Sequence, residues 1–208
     1  FFWFSGALFQ INILFFAPEA LGVESGLVIG LLQASAAVGM ALGSVAAGRL
    51  SGAIVEFGLV PIGAVSVTLF SVLLSRVETV GGAVALLVLL GAGAGCFNIP
   101  LAACLQGESP PGSKGRYLAA SNVVTFASMT LSYPLLWFLG AVCGLPASQV
   151  FAVMGAATAV VLGLILVFEP DMVVRAAMWL VLHALHRVQV DGLPQVPRRG
   201  GGLIVCNH

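Results

Sequence analysis

Six long runs of this chain carry almost no charge, and that pattern restricts the fold more than any other feature. A helix needs about 20 residues to cross about 30 Å of hydrocarbon. Runs of suitable length lie at residues 1–17, 26–47, 57–75, 81–105, 117–142 and 148–168. The breaks between them hold nearly every charge: Glu19 and Glu24, Arg49 and Glu56, Arg76 and Glu78, Glu108 with Lys114 and Arg116, then Glu169 and Asp171. Only the Gly144-Leu145-Pro146 break is uncharged. Hydrophobic residues are 60% of the 208 and charged residues 8%, against about 45–50% and about 25% in globular chains. So few charges cannot coat a water-soluble domain of this size. The expected fold class is an all-α membrane protein with six transmembrane helices.

Eight Lys/Arg balance eight Asp/Glu, so no basic surface points to nucleic acid. The chain opens on Phe1-Phe2-Trp3-Phe4 without an initiator Met or a charged leader, and reads as an internal piece of a longer protein. Cytoplasmic connections collect Lys and Arg. With six crossings, one side holds Arg49, Lys114, Arg116, Arg175, Arg187, Arg198 and Arg199, and the other only Arg76. The side bearing the tail is therefore expected to be cytoplasmic.

Small residues recur every four positions: Ser35, Gly39, Gly43 and Ala47, then Gly91 and Gly95, then Gly155, Ala159 and Gly163. Such stripes let helices pack closely where lipid supplies no hydrophobic drive. They also suit helices that slide past one another. Beyond residue 170 the pattern changes. Over 171–189, Asp171, Arg175, His183, His186 and Arg187 gather on one half of a helical wheel, opposite Val173, Ala177, Leu180 and Val188. Trp179 suits the headgroup level, so an amphipathic interfacial helix is expected. Pro194, Pro197 and Gly200 to Gly202 end it, and Leu203 to Cys206 read as a strand opening a further domain over 190–208.

Little here resembles a conventional reaction centre. Cys96, Cys104, Cys143 and Cys206 lack metal-ligand spacing, and free cysteines act as small apolar residues. His183 and His186 lie three apart without a third ligand nearby, and no metal or other cofactor is expected. The Gly91-Ala92-Gly93-Ala94-Gly95 run follows no strand and lies inside a span, so it is no nucleotide loop. Polar residues within the spans are more informative: Gln10, Asn12, Gln33, Asn98, Ser121, Asn122, Thr125 and Tyr133. Each either joins helices, at about 0.6–2 kcal/mol, or lines a wet pathway. No ionisable residue occupies the middle of a span, so a proton- or ion-coupling group is expected elsewhere in the full protein.

The six spans, with the Ala47-Gly48-Arg49-Leu50-Ser51 turn between the second and third, resemble the carboxyl-terminal half of a major facilitator superfamily transporter. That family's loop motif is only partly present, since the Gly and Arg occur without the usual Asp. The Gly112-Ser113-Lys114-Gly115-Arg116 loop running into Asn122 is similar to the turn before the eleventh span of such transporters. The tail is similar to the start of a glycerolipid acyltransferase domain: Val190-Asp191-Gly192-Leu193-Pro194, then Gly201-Gly202-Leu203-Ile204-Val205-Cys206-Asn207-His208. In those enzymes the His of an Asn-His pair is the general base, oriented by an Asp five positions on.

Together the two parts look like the lysophospholipid transporters that bacteria fuse to an acyltransferase. The resemblance divides the chain into a six-helix transporter half at 1-170, the interfacial helix at 171-189 and a truncated acyltransferase start at 190-208. It implies a bacterial inner membrane protein that flips lysophospholipid to the cytoplasmic leaflet and reacylates it, with acyl carrier protein or acyl-coenzyme A as donor. It also implies a missing amino-terminal transporter half as partner. Gln10, Asn12, Gln33, Asn98 and Asn122 become substrate-pathway candidates, and Arg49, Glu56 and Arg116 cytoplasmic-gate candidates. His208 becomes the general base and Asn207 its neighbour. Two rival readings stand: an exporter of a drug or small solute with a non-catalytic tail, and an acyltransferase for which the helices are only an anchor.

Overall fold

A computed structural model describes residues 1–51, 55–110 and 112–185. It contains seven α-helices: α1 Phe2–Leu21, α2 Gly26–Ser51, α3 Leu59–Leu74, α4 Val80–Glu108, α5 Lys114–Trp137, α6 Ala147–Phe168 and α7 Pro170–Leu185. A π-helical turn, Phe138–Val142, prolongs α5. No strand occurs among the described residues. Five of the helices are long and apolar enough to cross a bilayer. The chain is a multi-pass, all-α membrane protein.

The sixth expected crossing departs from that pattern. The apolar run at 57–75 yields only the 16 residues of α3, about 24 Å at 1.5 Å per residue. Its first residues form a turn that Glu56 caps, its Oε1 accepting from the Gly58 N–H at 3.0 Å. By contrast, α2 and α4 reach 26 and 29 residues, so both outrun the hydrocarbon. The helix α1 passes through Pro18 to Leu21 and stops at Gly22, whose φ of 64° few side-chain-bearing residues adopt. At the start of α4, the Thr79 hydroxyl accepts from the Gly82 N–H at 3.2 Å, an ordinary N-cap.

The helices pack in the spatial order α2, α4, α3, α6, α1, α5. That order pairs the first helix of each triplet, α1–α3 and α4–α6, with the second helix of the other triplet, while the two third helices meet each other. The connections after α1, α2 and α3 are too short for the next helix to run the same way, so α4 runs opposite to α1 and the triplets are inverted. This is the arrangement of an inverted repeat, in which ligands bind between the repeats.

Glycines set how tightly each seam closes. A methyl group added to Gly39 or Gly43 would overlap the backbone of Val88 or Ala92 on α4, and one on Gly91 the carbonyl of Ala36 on α2. Ser35, Gly39, Gly43 and Ala47 are all buried, as a stripe at four-residue spacing requires. On the other side of α4, Gly93 meets Ser66 of α3, and Gly63 of α3 meets Gly93 and Phe97 in return. Lipid tails are as apolar as the helices, so this backbone proximity supplies packing that hydrophobicity cannot. The stripe read on the sixth span fares differently. Gly155 faces Ser71 and Val72 of α3, whereas Gly163 meets no neighbour and Ala159 is exposed. The buried face of α6 runs instead through Val150, Phe151, Met154, Gly155 and Thr158.

Aromatic rings fill the junction of α1 with α6. Phe151 stacks on Phe9 at 5.6 Å and meets Phe16 edge-on at 5.1 Å, arrangements each worth about 0.5–1.5 kcal/mol beyond area. After α6, Pro170 forces Glu169 out of helical geometry, and α7 turns back onto the start of α3. A methyl on Gly58 would lie 2.9 Å from the Ala176 nitrogen, and Ala176 is buried there. Met172 packs against the Val60, Ala64 and Phe97 cluster. The wheel of α7 therefore differs from the expected one: it docks Met172 and Ala176, while Val174, Met178 and Val181 stay exposed beside Asp171 and Arg175. Residues 186–208, with His186, Arg187, the strand-like run, Asn207 and His208, lie outside the described residues.

Candidate functional site

Between the triplets lies a cavity of about 210 Å3. Its walls come chiefly from α1 (Phe2, Gly6, Phe9), α2 (Ala36, Met40) and α4 (Leu90, Ala94, Phe97), with Met129 of α5 and Thr158 of α6. The small residues that close the α2 and α4 seam continue into this wall, so the space exists because Ala36, Gly91 and Ala94 leave it. The lining is overwhelmingly apolar. Ser5, Gln10 and Thr158 are its polar side chains. Two of these are already occupied: the Ser5 hydroxyl donates to the Phe1 carbonyl at 3.1 Å, and Thr158 to the Met154 carbonyl at 2.9 Å. A cavity of this character suits a hydrocarbon chain, with Gln10 as the polar group available to a head.

The expected pathway residues do not converge. Gln10 lines the central cavity, and its backbone carbonyl accepts from Gln33 Nε2 at 3.3 Å, which ties α1 to α2. Asn12 is fully buried two positions on, on another face of α1. Its Nδ2 donates to the Ala147 carbonyl at 2.8 Å, while Oδ1 has no partner. Asn98 is half-buried on α4 and Asn122 exposed on α5, neither lining the central cavity.

Sequence reasoning passed over Glu19, which belonged only to a break between spans. In the structure its Oε2 accepts from the Ala147 N–H at 2.8 Å. That N–H is one of the first-turn donors a helix leaves unpaired, and a carboxylate there also meets the positive end of the α6 dipole. Asn12 and Glu19 thus hold both backbone groups of Ala147. Beside them a second cavity, of about 430 Å3, opens between α1, the π turn and the start of α6. The remaining lining of the central cavity follows from helical periodicity: Gly6, Gln10 and Ile13 sit at i, i+4 and i+7.

At the opposite end, the gate candidates stand apart. Glu56 is engaged as the cap of α3, and its own N–H donates to Ser51 Oγ at 3.3 Å. Arg49 and Arg116 are exposed, at the end of α2 and the start of α5. No ion pair links these three among the described residues. No cluster of three His, Cys, Asp or Glu residues occurs among them either.

Against this geometry, comparison with known proteins adds a substrate class for its relatives. The chain is 32% identical, over 164 residues, to the lysophospholipid transporter LplT of Klebsiella pneumoniae subsp. pneumoniae, and equally to that of Klebsiella pneumoniae strain 342. It is similar to two lysophospholipid transporters. The match takes in 76% of this chain but 40% of each relative, so the chain spans about two fifths of their length. No family model and no solved structure matches it.

Proposed function

We propose that these helices form one half of a transporter that moves lysophospholipid across the membrane, its acyl chain held in the central cavity. The observation that carries this reading is the cavity itself, overwhelmingly apolar with Gln10 as its available polar group, and placed between two inverted triplets. A single-chain lipid needs a groove for one tail and a polar contact for its head, and the similarity to lysophospholipid transporters agrees. Gln10 is the headgroup contact from this half, with Gln33 bracing it. Asn98 and Asn122 line the pathway farther toward the Arg49 end.

A missing amino-terminal half completes the transporter. Its support is α5, whose Val123, Val124 and Phe126 are about two-thirds exposed while only its last turns pack on α1. Arg49, Glu56 and Arg116 belong to the gate at the cytoplasmic end, in the inner membrane of a bacterium. The Asn207-His208 tail opens an acyltransferase domain that reacylates the delivered lipid from acyl carrier protein or coenzyme A thioesters. His208 is its general base.

The test is reconstitution of the full-length protein in liposomes with a fluorescent lysophospholipid in the outer leaflet. Accelerated loss of the label from an outer-leaflet quencher, abolished by Ala94→Trp in the cavity wall, is expected. A rate equal to that of protein-free liposomes would refute the reading. A rate unaffected by Ala94→Trp would remove the cavity from it.

A further inference from the structure

We infer that the cavity between α1, the π turn and the start of α6 is a second binding site, for an organic cation on an apolar body. It lies apart from the central cavity, shares no polar side chain with it, and does not depend on the lysophospholipid reading.

Glu19 supplies the charge: only one carboxylate oxygen is engaged, by Ala147, and the other is available. Among the described residues no Lys, Arg or His lines this cavity. Its charge is negative and the free Glu19 oxygen accepts, so a phosphate or carboxylate ligand is disfavoured and an ammonium favoured.

The walls complete the match. Phe15, Tyr133 and Trp137 line the cavity, and aromatic faces attract cations, Trp most strongly. Leu136, Leu145 and Val150 offer an apolar surface for the body of the ligand. The space comes from the backbone. Pro134 removes one N–H from α5, and four residues later the helix widens to the π turn, with the Cys143 N–H bonded to the Phe138 carbonyl at 3.0 Å. Such turns are rare and cluster at functional sites. Gly140 lies within it, and a methyl group added there would meet no atom within 4 Å.

The probes are phenethylammonium, phenethyl alcohol and hydrocinnamate, which share a ring and differ in charge. Binding to the full-length protein in nanodiscs is measured by equilibrium dialysis. The ammonium is expected to bind saturably and about tenfold more tightly than the alcohol, with no saturable binding of the carboxylate. Glu19→Gln keeps an acceptor for the Ala147 N–H but drops the charge, and should weaken the ammonium about tenfold. Gly140→Leu should abolish it by filling the space, with the thermal midpoint confirming that the variant is folded. Equal binding of ammonium and carboxylate would overturn the proposal. So would binding unchanged in both variants, while lysophospholipid movement through the central cavity would still stand or fall by its own assay.

Discussion

The α2 and α4 seam and the α5 and α1 seam occupy equivalent places in the two triplets, yet one is shut and the other held open. In the first, Gly39, Gly43, Gly91 and Gly95 bring backbone against backbone. In the second, the buried residues of α5 and its π turn are confined to Ser132, Leu136 and Leu139, and the largely exposed Tyr133 and Trp137 line a cavity. The topology is the same, so the difference lies in side-chain volume. It also lies in adhesion. The tight seam is held by contacts of about 0.1–0.2 kcal/mol per atom pair, many at once, whereas beside the open one α1 is tied to the start of α6 rather than to α5, by two polar side chains on Ala147.

The comparison is broken most forcefully at Gly43. Gly43→Leu should push α2 off Ala92 and cost about 1–3 kcal/mol or more, read as a fall in the thermal midpoint of the detergent-purified protein. The matching change on the open seam, Gly140→Leu, should move stability by no more than about 0.5 kcal/mol. If the two midpoints fall equally, the seams do not differ as described. A smaller effect is expected from Asn12→Leu, which removes the bond to Ala147 and should cost about 0.6–2 kcal/mol. An unchanged midpoint would mean that the start of α6 is held by Phe151 and its aromatic neighbours rather than by the polar clamp.

What the sequence made legible follows the same division. Length and apolarity located every span within a few residues, because a bilayer leaves helices few alternatives. The stripe from Ser35 to Ala47 announced its own interface, since four-residue spacing keeps one face of a helix. The stripe at Gly155, Ala159 and Gly163 looked the same and is not one along its length, because spacing says which residues share a face and not whether a partner lies there. The clamp on Ala147 was hidden for a related reason. Glu19 and Asn12 are seven apart on α1, but their common partner is 128 and 135 residues away. Residues 57–75 read as a full span because apolarity continues through the turn that Glu56 caps.

The account rests on a lipid tail occupying the central cavity. Its most direct test is a lysophospholipid with a photoreactive group near the end of its acyl chain, crosslinked to the full-length protein in native membranes and mapped by mass spectrometry. Adducts on the α1 and α4 peptides that contain Gln10, Ala94 and Phe97, competed by unlabelled lysophospholipid, are the predicted result. Labelling restricted to outward-facing positions such as Val160 and Leu164 on α6, without competition, would contradict it.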